Sequence, residues 1–169
     1  MVDSNISFLG GGPFTPQRTG QLPTSELIDL CYSGRYTREE LFEELTRRGG
    51  LQSYLGDYRL DRIETRIHEG DEHARLVVDA MVYQIAKEIG AMFVAAGAAI
   101  EAIVLTGGMI RSERVRKELQ KHVGRLAPLL IYDQPLEMEA LAGETLRVLE
   151  RRIRPHEYRC SNAIGGPSA

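Results

Sequence analysis

"EAIVLTGGMIRSERVRKELQKHVGRLAPLLIYD", residues Glu101 to Asp133, decides the fold. It opens with a continuous β-branched and aliphatic run that stops at Gly107 and Gly108. A charged segment of helical period follows, capped by Ser112, and a second apolar run, "APLLIYD", closes the stretch. Strand, helix, strand predicts a parallel pair joined by a right-handed crossover, hence an α/β layer. The amphipathic segment "EMEALAGETLRVLERRIR" then continues the alternation with a last helix. The glycine pair has two readings. It can be a plain turn, or a surface on which free backbone amides without Cβ atoms meet a ligand at the carboxyl end of a parallel sheet. Neither GxGxxG nor GxxxxGK[ST] is present, so the pair alone leaves both readings open.

Upstream of that stretch the periodicity is helical. Residues 1–22 are crowded with Gly, Pro, Ser and Thr and are expected to be loop, with at most a short strand at Ile6 to Leu9. "TSELIDLCYSG" predicts a helix with Leu27, Leu30 and Cys31 on its inner face and Gly34 as its stop. "TREELFEELTRRGG" opens with Thr37 and Glu40 in capping-box spacing, turns Leu41, Phe42 and Leu45 inward and ends at Gly49–Gly50. A third helix runs through Leu60, Ile63 and Ile67. A long one follows from Asp71, with Ala74, Val77, Val78, Met81, Val82, Ile85, Ile89, Met92, Phe93 and Ala96 in one broad stripe. The segment after residue 153 lacks periodicity and is expected to be disordered.

Composition narrows the function classes. The 169 residues suffice for one domain with a real core. With 43% hydrophobic and 27% charged residues and a net charge of -3, the chain has no electrostatic footprint for nucleic acid or an acidic membrane. Its longest apolar stretch, Ile89 to Ile103, is broken by Gly90, Gly97 and Glu101 and is too short to span a bilayer. Cys31 and Cys160 form no ligand or redox spacing, which points to a reduced, cytoplasmic setting, with Cys31 expected in the core. The four histidines, His68, His73, His122 and His156, fall on polar helix faces or in the tail and are read as solvated surface residues.

Several stretches, taken in order, resemble the C-terminal half of the butyrate kinase family: "GPFTPQRTGQLPTSELIDLCYSGRYTREEL", "GGLQSYLGDYR", "HEGDEHARLVVDAMVYQIAKEIGA", "AIVLTGGMIRSERV" and "EMEALAGETLRVL". The resemblance runs from about Gly12 to about Glu150. It implies a helix-rich C-terminal ribonuclease H-like domain of the acetate kinase, sugar kinase and actin superfamily, with an incomplete parallel sheet. It places a nucleotide-binding half-kinase domain at 23–153 and implies transfer of phosphate from MgATP to a short-chain carboxylate such as butyrate.

The same resemblance assigns residues. Gly107 and Gly108 would run beside the adenosine, with Arg111 and Ser112 close enough to touch it. Arg18 would stabilise the phosphoryl group in flight, where a cation offsets charge on the equatorial oxygens; Pro13 and Pro16 would stiffen its loop. Glu137 would serve the magnesium ion, although an acidic residue in a first helical turn is also favoured by the helix dipole. Asp57 and Arg59 match an Asp-x-Arg that touches ribose and base in related kinases, shifted by about two positions. Family members are about twice as long, so a first domain and several early strands of the second are expected to be missing. An exposed sheet edge, association with the other half or with a second copy, and weak activity alone would follow.

Overall fold

The computed structural model describes residues 3–5, 9–134 and 136–155, without the side chains of residues 136 and 137. They fall into two units divided after Asp133. In the first unit a loop leads into α1 (Thr24–Tyr32), α2 (Arg38–Thr46), α3 (Gly50–Leu55), α4 (Leu60–His68) and α5 (Glu72–Ala95). Then come β1 (Ile103–Thr106), a short 3-10 helix (Gly108–Arg111), α6 (Glu113–Val123) and β2 (Leu129–Tyr132). The second unit contains α7 (Leu136–Leu149), which exposes Met138, Leu141, Leu146 and Leu149 and carries an Arg147–Glu144 ion pair at 2.9 Å.

Helix starts follow their caps. Thr37 and Glu40 form the expected reciprocal box: Thr37 Oγ1 accepts from the Glu40 amide at 3.2 Å, and Glu40 Oε2 accepts from the Thr37 amide at 2.8 Å. Asp71 accepts from the Ala74 amide at 2.8 Å, and Ser112 accepts from the Val115 amide at 3.0 Å. Each cap satisfies a donor that has no carbonyl partner inside its own helix.

The α5 stripe serves two clusters. Its first half buries Ala74, Val77, Val78 and Met81 against Phe14, Leu51 and Ile63. Further along, Val82 and Ala86 are buried against Ile103 and Leu105 of β1, Ile110, and Val115, Leu119 and Val123 of α6. The rest of the expected stripe, Ile85, Ile89, Met92, Phe93 and Ala96, is only half-buried and lines an open apolar groove. Each such aliphatic side chain contributes about 1.5–3 kcal/mol on full burial, so α5 is the element whose loss would dissolve both clusters.

β1 and β2 pair in parallel with Ile103 opposite Leu129 and Thr106 opposite Tyr132, and α6 makes the crossover. The expected strand–helix–strand unit is therefore present. The strands are not buried throughout, as continuous apolar runs suggested. β1 alternates, with Val104 59% exposed between buried Ile103 and Leu105, and Leu130, Ile131 and Tyr132 are all exposed. Among the described residues helices cover the Ile103 and Leu105 face of β1, while β2 is largely bare on both faces, so the run length reflects strands that expect more cover than these residues supply.

Other expectations need correction. Cys31 is exposed, not core, and α1 buries no residue at all; its apolar face lines an open groove with Leu41 and Leu45 instead of packing into a cluster. Phe42 is 39% exposed rather than turned inward, because α2 touches the rest of the unit mainly through Leu41 and Thr46. Gly49–Gly50 does not end α2, which stops at Thr46; Gly50 instead begins α3, a helix too short for periodicity to reveal. The strand expected at Ile6 to Leu9 lies outside the described residues except for Leu9, which stands in a turn. The tail expected to be disordered lies outside them from residue 156 onward, as do His156 and Cys160.

Candidate functional site

The glycine pair at the end of β1 is built open. Gly107 has φ +93° and ψ 175°, a conformation that is essentially restricted to glycine. A Cβ added at Gly107 or at Gly108 would meet nothing within 4 Å. No neighbour among the described residues therefore requires Gly108; what the pair supplies is bare, accessible backbone at the carboxyl end of the sheet. That surface suits a nucleoside lying flat against main chain, so the residues present fit the adenosine part of ATP or ADP.

The residues after the pair divide in role. Arg111 is exposed, and its Nε donates to the Asp133 carbonyl at 3.4 Å, which leaves the guanidinium at the rim. Ser112 is buried: its oxygen caps α6 and its hydroxyl donates to Glu64 Oε1 of α4 in a very short hydrogen bond. It fixes the turn against α4 and has no spare hydroxyl hydrogen for a ligand. Two partners in this network, Glu64 and the Arg114–Asp79 ion pair at 2.7 Å, escaped the sequence reading because they join elements 48 and 35 residues apart. Together with Lys117 and Lys121, Glu64 and Arg114 line a charged cleft of about 550 Å³ between α4 and α6.

Arg18 sits on a loop held at many points. Phe14 is buried among Leu51, Ile63 and Met81, and its amide donates to Gln84 Oε1 of α5 at 3.1 Å. The Thr19 amide donates to the Leu45 carbonyl at 3.1 Å, and the Gln21 amide closes the loop on the Gly12 carbonyl at 3.0 Å. The Arg18 amide donates to Thr15 Oγ1 at 3.0 Å, while its carbonyl accepts from the Thr15 amide at 3.0 Å. Arg18 lines a cavity of about 590 Å³ with Pro16 and Gln17 of the loop and Phe42, Thr46 and Arg47 from α2 and its end.

Asp57 and Arg59 form a local turn. Asp57 Oδ1 accepts from the Arg59 amide at 2.8 Å, and the Arg59 guanidinium grips both oxygens of Asp61 at 2.7 and 3.3 Å. The hydrogen bond from Arg59 holds the Asp61 carboxyl below the usual carboxylate range. Glu137 lies in the first turn of α7 in the second unit, and its side chain is outside the described residues. Among the described residues no three His, Cys, Asp or Glu side chains converge to hold a metal ion. Those residues offer no cage for magnesium.

The Arg18 loop, the turn before α4 and the glycine turn share an anchor. Phe14 and Ile63 belong to one core cluster, and Met109, next to Gly108, packs against it. Sequence pattern alone does not reveal how this comes about, because Gly49–Gly50 after a helical period reads as a helix stop. A Cβ on Gly50 would overlap the Thr15 carbonyl oxygen outright, and one on Gly49 would lie 2.6 Å from Thr19 Cγ2. The signal was there in a second glycine pair.

Comparison with known proteins agrees with this architecture. Residues 15–145 match the acetokinase family. A protein of Bacteroides thetaiotaomicron named probable butyrate kinase is 39% identical over 158 residues, covering 94% of this chain and 45% of that protein. The crystal structure of Porphyromonas gingivalis acetate kinase superposes with a TM-score of 0.70 at 20% identity, over 82% of this chain and 41% of that one. Entamoeba histolytica acetate kinase gives 0.66 at 18% identity, over 80% and 43%, and a Francisella tularensis propionate kinase gives 0.62 at 16%, over 73% and 38%. The chain spans less than half the length of these relatives. Among the described residues no helix is long and apolar enough to cross a membrane.

Proposed function

The chain belongs to the acetokinase family, and from that membership we propose that it forms the nucleotide-binding side of a short-chain carboxylate kinase. The reaction is reversible transfer from MgATP to butyrate or a similar acid. A carboxylate oxygen attacks the γ-phosphorus, the bond from that phosphorus to the bridging oxygen of ADP breaks, and an acyl phosphate and ADP result. The observation that carries this reading is the open backbone at Gly107–Gly108, in a position where the family's α/β fold receives ligands.

Within this reading Arg18 faces the transferring group and offsets the charge that spreads over its equatorial oxygens. Gly107 and Gly108 support the adenosine, with Arg111 at its rim, and Ser112 holds their turn in place through α6 and Glu64. Arg59 reaches the ribose side only by exchanging its Asp61 partner for ligand, with Asp57 fixing its backbone. Glu137 is the carboxylate assigned to the magnesium side; the ion would neutralise phosphate charge, keeping water and phosphate oxygens as its other ligands.

The test is acyl phosphate formation by the purified chain, trapped with hydroxylamine, with MgATP and butyrate, alone and with the family's other half supplied as a separate chain. Butyrate-dependent hydroxamate is the expected result. Nucleotide binding without product would make the chain a nucleotide-binding remnant. A second reading, an interaction module, is favoured by one observation, the uncovered apolar strand face at Val104, Leu130 and Tyr132. Dimerisation indifferent to nucleotide, with no product, would support it.

A further inference from the structure

The first turn of α3 carries backbone amides with no carbonyl partners inside the helix. Three of them are taken by consecutive carbonyls of the Arg18 loop: Gly49 donates to Gln17 at 3.0 Å, Leu51 to Thr15 at 3.2 Å and Gln52 to Pro16 at 3.0 Å. The loop thus serves as the cap of α3, a task normally given to one side chain. This approach is possible only because Gly50, at φ +60°, has no side chain; a Cβ there would also lie 2.8 Å from the Arg18 carbonyl oxygen.

We infer that Gly50 is a positioning residue for Arg18. Glycine at this place lets the start of α3 seize the loop backbone from Thr15 to Gln17, immediately before Arg18, and that grip sets where the Arg18 side chain enters its cavity. Gln84 completes the hold from α5 by accepting the Phe14 amide. The structural half of this inference stands on geometry alone; its catalytic half rests on the kinase reading. A displacement of the loop by about 1 Å would be enough to matter, since misplacement on that scale costs roughly a hundredfold in rate.

Amide hydrogen exchange on the full chain tests the grip. Gly50→Ala is expected to speed exchange across residues 14–21 by about tenfold or more. Gly34→Ala is the control, because Gly34 has a similar φ of +71° and nothing within 4 Å of an added Cβ. It is expected to leave the loop at parent rates. Loop amides that are unprotected in the parent, or unchanged in Gly50→Ala, would overturn the grip. If Gly50→Ala gives no cooperative melt, Gln84→Met carries the same test, since it removes one anchor without inserting an atom.

Turnover tests the catalytic half. Gly50→Ala is expected to lower kcat by roughly a hundredfold with the KM for ATP unchanged. The double variant Arg18→Ala/Gly50→Ala is expected to lose no more than Arg18→Ala alone, because a residue acting through Arg18 has nothing left to act on. Additive losses would overturn Arg18 as the route. A parent without acyl phosphate turnover, alone or with the other half, would overturn the kinase reading and the catalytic half with it, while exchange still decides the grip.

Discussion

Among the described residues two glycine pairs stand at junctions leading into helices, and their surroundings are opposite. Around Gly107 and Gly108 an added Cβ meets nothing, whereas at Gly49 and Gly50 it strikes the backbone of the Arg18 loop. One pair leaves room for something outside the chain, and the other removes atoms so that the chain can close on itself. The same two letters thus leave open backbone in one place and make an internal joint in the other. The difference lies in which groups approach: nothing in the described chain at the first, carbonyls 32 to 36 residues earlier at the second.

This contrast is open to direct test, and the largest effect is expected at Gly50. Gly50→Ala combines a left-handed backbone with overlap onto a carbonyl, so a loss of about 3–5 kcal/mol is expected by chemical denaturation. A loss within that of Gly34→Ala would erase the distinction between the pairs. Gly107→Ala carries only conformational strain and is expected to cost about 1–3 kcal/mol, with no change in the exchange of residues 14–21. Gly108→Ala is expected to be nearly silent, within about 0.5 kcal/mol in melts without ligand. It should nonetheless weaken or abolish the MgADP-dependent rise in melting midpoint that a working adenosine surface gives the parent. A parent with no such rise, or a Gly108→Ala variant with the parent's rise, would reduce this pair to an ordinary turn.

The smallest effect belongs to the caps, which lie outside both pairs and set a baseline. The Ala74 amide and then Arg66 hold Asp71 below its ordinary value of 3.8, and the Thr37 amide and hydroxyl hold Glu40 below 4.5. Folded values below unfolded ones mean that this stabilisation is complete above the ordinary values and is lost as pH falls through the depressed ones. Melting midpoints are therefore expected to fall modestly below about pH 4, less so in Asp71→Asn, which keeps a capping oxygen without the charge. An equal fall in that variant would assign the acid sensitivity elsewhere.

Local chemistry was legible before the structure. Thr37 with Glu40 and Ser112 cap where their spacing places them, and the α5 stripe is buried from Ala74 to Val82, whereas its later members, Ile85, Ile89, Met92, Phe93 and Ala96, are only half-buried. The crossover unit followed from the change of period after residue 101. Exposure was less legible, because Leu27, Cys31, Leu130 and Tyr132 are apolar positions whose cover does not come from the described residues. Among the candidate site residues, Gly107 and Arg18 could be named from the resemblance, while the partners that hold them could not. Glu64 lies 48 positions from Ser112, Gln84 lies 70 from Phe14 and Gly50 lies at least 32 from the carbonyls it admits, beyond the reach of any local pattern.

The attachment of Phe14 to Gln84 spans 70 positions. Closing so long a loop brings no reward until α3 and α5 are already in place, so the segment bearing Arg18 joins the fold late. Helices and the β1–α6–β2 crossover can assemble without it. Rising denaturant is therefore expected to release this segment before the helical signal changes, so that any activity of the chain disappears while circular dichroism still reports a folded protein.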